Sequence, residues 1–309
     1  MAYVEHTPED NAAAPALTVV VVMLEGPDYL ARCLEALARQ KNAPHFEIIV
    51  PCDERLGDAA ALRAKYPQAQ FARVPGKRTY AELRAIGVRR ARGPIVALTE
   101  DHCAPEPAWC AEILNAHAAP HAAIGGAVEK GPDAALNWAI YLCDFGRYMQ
   151  PVREGPAGYL TDCNVSYKRA ALASLAEVWA GEFHEPVVHG TLKARGETLW
   201  LSPRIVVRQQ RSLSWGSALW DRYAFGRLFA STRPEAAAPM GRALYAALAI
   251  ALPPFIVARV ATDVLRKRRH FRELARALPA LILVTSAWAW GEFAGYVTGR
   301  PVDSLSAKP

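Results

Sequence analysis

"LTVVVVMLEGPDYLARCLEALARQ", residues 17–40, sets an apolar, β-branched run of strand length against a stretch whose Leu30, Cys33, Leu34 and Leu37 share one helical face. The two pieces form one βα unit, joined through Glu25, Gly26, Pro27 and Asp28. The alternation repeats along the chain. Phe46–Pro51 reads as a strand, Gly57–Tyr66 as a helix, Gln70–Val74 as a short strand, Thr79–Arg92 as a helix and Pro94–Thr99 as a fourth strand. Such repetition predicts an α/β fold with a mostly parallel, Rossmann-like sheet flanked by helices and joined by right-handed crossovers. Ligands of these sheets bind beyond the carboxyl ends of the strands. Glu25, Asp53 and the adjacent Glu100, Asp101 and His102 all fall there.

The chain has 309 residues, 52% of them hydrophobic, which is ample for a buried core and excludes a disordered or fibrous protein. A net charge of +6 and a pI near 9.0 suit an anionic partner such as a nucleic acid, a nucleotide or a lipid headgroup surface, and charge alone does not choose among them. The six cysteines have no C-x-x-C spacing, so a zinc site or disulfide framework is not expected and the thiols read as buried in a reducing compartment. Met1–Pro15 carries Glu5, Glu9 and Asp10 in place of a basic region followed by an apolar one, which is unlike a secretory signal.

The C-terminal third differs. Ala243–Ala258 and Ala277–Val297 are long apolar stretches, and the second, interrupted by Glu292, has close to the roughly 20 residues that a bilayer span needs. The first contains Pro253 and Pro254 and is followed by Arg259. Membrane association is expected, with the second stretch spanning; a pair of buried helices in a soluble domain has the same composition.

No G-x-G-x-x-G or G-x-x-x-x-G-K-[ST] follows the first strand, which removes the main support for a dinucleotide or P-loop site. A nucleoside diphosphate would then need another source of positive charge. A divalent metal, Mg2+ or Mn2+, held by strand-end carboxylates with room for one imidazole, would supply it.

Five pieces then occur in an order that resembles the family 2 glycosyltransferases of GT-A fold. VVVVMLEGPDYLARCLEALARQ resembles the first strand and helix, FEIIVPCDE the nucleotide-contacting second strand, and KRTYAELRAIGVRRARGPIVALTEDHCAPEPAW the helix, strand and metal motif. GYLTDCNVSYKRAAL resembles the acceptor-side segment, and FHEPVVHGTLKARGETLWLSPRIVV the catalytic-base helix with the strand after it. The resemblance covers Leu17–Gln210 and implies an inverting transfer of sugar from a nucleotide-sugar donor to an acceptor hydroxyl. Aligned on the P-x-P-x-W tail, Glu100 falls on the first acid of the family's D-x-D motif and His102 on the last, with Asp101 between them. The resemblance implies donor contacts from Glu100 and Asp101 and metal ligation by His102, Glu100 and Asp101. On a strand end, Glu100 and His102 would face one side and Asp101 the other. An acidic helix cap ahead of Trp109 would account for the carboxylates without a ligand.

By the same resemblance Asp53 would contact the nucleobase, Glu25 the nucleotide, and Arg84 the donor's phosphates or sugar. Asp162 and Asn164 would lie on the acceptor side, although Asn is as often a turn residue. Glu185 falls on the Asp of the family's Glu-Asp pair and is assigned as general base, removing the proton of the attacking hydroxyl. Pro186 suits a first helical turn, so Glu185 would also serve as a cap. His184 and His189 are alternative bases, since imidazole titrates near neutrality.

The expected organisation is a tail over 1–15, the GT-A domain over 16–210, an amphipathic interfacial segment over 211–240, membrane helices over 241–300 and a tail over 301–309. The second membrane segment follows a basic loop, RKRRHFRELAR, at 266–276. A basic short loop belongs on the cytoplasmic side, which favours a first segment broken at Pro253-Pro254 that returns the loop to anionic headgroups. The expectation is a glycosyltransferase at the inner membrane with a cytoplasmic catalytic domain, acting on a lipid or lipid-linked acceptor and on no nucleic acid. The alternative is a non-catalytic, membrane-anchored nucleotide-sugar-binding protein on the same fold, because fold does not guarantee activity and the motifs are altered.

Overall fold

The computed structural model describes residues 14–57, 59–131, 133–233 and 238–301. Most of each expected terminal tail, 1–13 and 302–309, lies outside the described residues. The chain divides into two compact units, Met1–Ala127 with Arg153–Val207 and Val128–Val152 with Arg208–Pro309.

In the first unit β1 (Leu17–Val22) is buried over its whole length. It leads into α1 (Pro27–Ala38), which starts on a proline and buries Leu30, Cys33, Leu34 and Leu37. There follow β2 (Phe46–Cys52), α2 (Ala60–Lys65), β3 (Ala69–Arg73), α3 (Tyr80–Arg90), β4 (Ile95–Glu100), β5 (Cys103–Pro105), α4 (Trp109–Ala116) and β6 (Ala123–Lys130). After α5 (Ala135–Phe145), which belongs to the second unit, come β7 (Gly155–Pro156), β8 (Asn164–Lys168), α6 (Arg169–Ala173), α7 (Ala176–Trp179), α8 (Glu185–Ala194) and β9 (Leu199–Gln209).

The strands form one mixed sheet in the order β3-β2-β1-β4-β8-β6-β9-β5, with β7 on β9. The half from β3 to β4 is parallel, and β8 pairs antiparallel with both β4 and β6. Val22 of β1 stands opposite Glu100 of β4, so the strand ends that carry the polar residues lie side by side. Helix α3 begins in a capping box between Thr79 and Glu82, which satisfies otherwise orphaned amide donors. It approaches the sheet closely at Gly87, where a Cβ would lie 2.3 Å from Val20 and 2.9 Å from Pro51. That approach brings the buried face of α3, Ala81, Arg84, Ala85 and Val88, down onto the strands. All six cysteines are free and five are buried.

The second unit is helical: α5, then α9 (Trp215–Ser231), α10 (Pro239–Ala249), α11 (Leu252–Lys267) and α12 (Phe271–Thr298). Trp138, Tyr141 and Tyr148 are core residues of this unit. Helices α9 and α12 meet through glycines: a Cβ on Gly226 would strike the Trp288 carbonyl, one on Gly291 the Tyr223 carbonyl and one on Gly295 the Arg227 carbonyl. Helix α12 is long and apolar enough to cross a membrane, and α10 with α11 is so only as a pair bent by 55°. The bend falls at Ile250-Ala251, with Pro253 and Pro254 in the first turn of α11, where proline is tolerated. At the α11–α12 turn Arg268 and His270 are both left-handed. Lys267 donates there to the carbonyls of Arg147, Met149 and Pro151, and Arg269 pairs with Glu129.

Candidate active site

Strand β4 ends at Glu100, and Asp101 and His102 follow in a turn that sets the His102 ring between the two carboxylates. Glu100 Oε2 lies 3.3 Å from His102 Nε2. Asp101 turns toward the β1–α1 connection, where its Oδ2 accepts from the amides of Leu24, Glu25 and Gly26 at 2.9, 2.8 and 3.0 Å. Its Oδ1 is 3.5 Å from His102 Nδ1. Asp101 therefore binds its own chain through one oxygen while Oδ1 accepts no hydrogen bond, and Glu25 is tied to the cluster through its amide.

Arg84 is the centre on which separate stretches converge. Its Nη2 donates to Glu100 Oε1 in a short ion pair and to Asp162 Oδ2 at 3.2 Å. Its Nε is 3.1 Å from Glu185 Oε1 and its Nη1 3.4 Å from Glu185 Oε2. Glu100 comes from β4, Asp162 from the turn before β8 and Glu185 from the start of α8, so one guanidinium faces three carboxylates. Burial pushes the Glu185 carboxyl up to about 7; Arg84 pulls it back and Asp162 adds to the rise. Burial also raises Glu100, with Asp162 adding to the rise and His102 and Arg84 opposing it. A buried carboxyl that titrates near neutrality beside a cation is suited to accepting a proton.

The alternative bases on and beside α8 have partners of their own. His184 has more than half of its side chain exposed and pairs with Glu182 at 3.3 Å. His189 is buried, its Nε2 sits 2.8 Å from the Tyr167 hydroxyl, and burial lowers it to about 4.

Asp53 is buried and engaged on both oxygens. Its Oδ1 accepts from the Arg55 amide and Nε, each at 3.0 Å, while its Oδ2 takes the Arg78 amide at 2.9 Å and Arg55 Nη2 at 2.7 Å. Burial works to raise its carboxyl, but the Arg55 side chain and the two amides outweigh it and hold Asp53 below the usual range. Asn164 is also taken up internally: its Nδ2 donates to the carbonyls of Ala127 and Ile205 and its Oδ1 accepts from Trp109 Nε1. Asp162, by contrast, keeps 41% of its side chain exposed while holding Arg84.

Among the described residues no three His, Cys, Asp or Glu side chains are grouped as a metal ion held by protein alone would need. The chain offers Glu100 and His102, one carboxylate and one imidazole turned toward each other. Such a pair fits a cation that takes its other ligands from a substrate diphosphate and water, as magnesium does. A cavity of about 390 Å³ lies elsewhere, on the outer face of α3, lined by Val74, Pro75, Arg78, Glu82, Ile86, Arg89, Arg90 and Gly181.

The sequence did not disclose the link from Arg84 to Glu185 and Asp162, or the clamp of Arg55 on Asp53. One signal was present for the first: Arg84 occupies the apolar face of its helix, at i+3 from Ala81 and i−4 from Val88. An arginine placed there needs buried anionic partners.

The model of glycosyl transferase family 2 matches residues 18–175, just over half of the chain. No curated protein matches. Among solved structures, a mannosyltransferase from Pyrobaculum calidifontis in complex with GDP-Man and Mn2+ is 18% identical; the match covers 90% of this chain and 87% of that chain with a TM-score of 0.48.

Proposed function

The chain belongs to glycosyl transferase family 2, and on that premise we propose that it moves a sugar from a nucleotide-sugar donor to an acceptor hydroxyl with inversion, using Glu185 as general base. The observation that carries this reading is the meeting of Glu100, Asp162 and Glu185 on the Arg84 guanidinium at the carboxyl end of β4. The acceptor oxygen attacks the anomeric carbon as Glu185 takes its proton, and the bond from that carbon to the diphosphate breaks. The leaving diphosphate carries the negative charge, which Arg84 is placed to receive. Glu100 and His102 would hold a divalent cation, whose chemistry would be to stabilise that same charge. Asp101 shapes the site by fixing the β1–α1 connection, Asp162 borders the acceptor, and Asp53 fixes the strand end where a nucleobase would pack. Asn164 ties β8 to its neighbours behind the acceptor side.

The proposed setting is the cytoplasmic face of the inner membrane, with α12 as a span and a lipid or lipid-linked acceptor. Its support is the apolar length of α12, the exposed Met240, Leu244 and Leu248 along α10, and the basic turn from Arg266 to Arg276. Cysteine labelling that found residue 268 accessible from outside the cell would overturn this orientation.

The test of the reaction is a panel of nucleotide sugars incubated with Mn2+, with released nucleoside diphosphate as the readout and Glu185→Gln as the control. Turnover of at least one donor, lost in Glu185→Gln, is expected. Binding without turnover would instead identify a non-catalytic nucleotide-sugar-binding protein, and a fully active Glu185→Gln would remove the base assignment.

A further inference from the structure

The Arg84 guanidinium is already turned to carboxylates of its own chain. Nη2 donates to Glu100 and Asp162, Nη1 donates to Glu185 Oε2, and Nε lies 3.1 Å from Glu185 Oε1, which accepts no hydrogen bond. The surroundings do not favour this arrangement as a resting place for charge: three carboxylates share one cation, and Glu100, Glu185 and Arg84 are all buried. An incoming diphosphate beside Glu100 brings further negative charge and needs the same donors. One guanidinium cannot compensate three carboxylates and a diphosphate together, so Arg84 turns to the diphosphate by loosening a carboxylate. Glu185 is the one to yield, because its contact through Nη1 is the longest of the four and its Oε1 accepts no hydrogen bond.

We propose that Arg84 is shared between the base and the donor, holding Glu185 in the ligand-free protein and releasing it when the donor's diphosphate claims the guanidinium. The proposal rests on the donor and base roles given above. Its consequence is a competition built into the fold: the base is free to act only when the donor is seated, and the free enzyme keeps a buried carboxylate compensated meanwhile. In thermodynamic terms the Glu185 pair and the diphosphate bind one group with negative coupling, and such coupling must be reciprocal.

A double-mutant cycle on nucleotide binding tests this. Calorimetry with the full chain in detergent, with UDP and with GDP as probes in the presence of Mn2+, would compare wild type, Glu185→Gln, Arg84→Gln and the double variant. Removing the base carboxylate frees Arg84, so Glu185→Gln is expected to bind the nucleotide about tenfold more tightly, roughly 1.4 kcal/mol. Arg84→Gln is expected to bind at least about tenfold more weakly, and adding Glu185→Gln to it is expected to change affinity less than about twofold. Glu185→Asp retains the charge and should bind close to wild type, which separates sharing from any loss of folding. An unchanged or weakened affinity in Glu185→Gln overturns the proposal. So does a gain that persists in the Arg84→Gln background, because that is simple charge repulsion. Failure of the wild type to bind either nucleotide overturns the donor reading and this proposal with it, whereas binding without coupling overturns the proposal alone.

Discussion

Two arginine–carboxylate clusters stand at the carboxyl ends of the parallel strands, and their charges are balanced in opposite ways. At the end of β2 one carboxylate, Asp53, receives the Arg55 guanidinium and the amides of Arg55 and Arg78. At the end of β4 one guanidinium, Arg84, serves three carboxylates. The first cluster is satisfied within the chain, and its carboxyl is held in the ionised form. The second is left with excess negative charge in a buried place, and its carboxyls are pushed toward protonation. On the proposed reading, the difference separates a group that holds the fold from one that receives the donor. Strain of the second kind collects where a protein acts.

The comparison can be broken most sharply at Glu185. Glu185→Gln should lower transfer by roughly 10²–10⁴-fold, the usual scale for losing a general base, read as initial rates at saturating donor. A smaller loss would mean that the excess charge at β4 has no catalytic use. Asp53→Ala should act on the fold: it strands two amides and a guanidinium, at a cost of about 2–3 kcal/mol, read as a lower urea midpoint with an unchanged slope.

The same Glu185→Gln substitution should move stability the other way. The folded carboxyl titrates at about 7 against the usual 4.5, so the native state holds this proton more tightly than the unfolded chain. The stability this contributes is complete below about pH 4.5 and lost as pH rises through about 7. Glu185→Gln should therefore match wild type at pH 4.5 and exceed it by about 3 kcal/mol at pH 8, measured by urea unfolding at the two pH values. At limiting donor, where the rate reports the free protein, transfer by wild type should rise with pH through about 7, because only the ionised carboxylate can accept the proton. Least of all, Asp101→Asn should cost about 1 kcal/mol, since one amide oxygen can still receive part of what three backbone donors offer; the measure is faster hydrogen exchange at Leu24–Gly26.

Much of the parallel half was legible because local signals carry it. The run from Leu17 to Val22 and the spacing of Leu30, Cys33, Leu34 and Leu37 define their elements without help from distant residues. The period of two along a strand would set Glu100 and His102 on one side and Asp101 on the other, but β4 ends at Glu100 and the turn after it brings His102 near both. What Asp101 meets was not legible, because the amides of Leu24, Glu25 and Gly26 lie 75–77 residues away in sequence. The pairing of Arg84 with Glu185 spans 101 residues and depends on how α8 is set against α3. The expected helix at 57–66 shortens to Ala60–Lys65, since Asp53 draws the chain after β2 into a tight turn over Glu54–Leu56 first. In the helical unit, composition predicts an amphipathic segment over 211–240, but the seat of α9 on α12 depends on where glycines face each other across the contact.

Gly87 carries a consequence of a mechanical sort. It lies one turn beyond Arg84 on the buried face of α3, and only a hydrogen separates it from Val20 and Pro51. A methyl group there would work as a shim, tilting the helix about its capped N-terminus and withdrawing the guanidinium from carboxylates that it reaches by tenths of an ångström. The spacing of Arg84 from the proposed base is thus gauged at a position with no chemistry of its own.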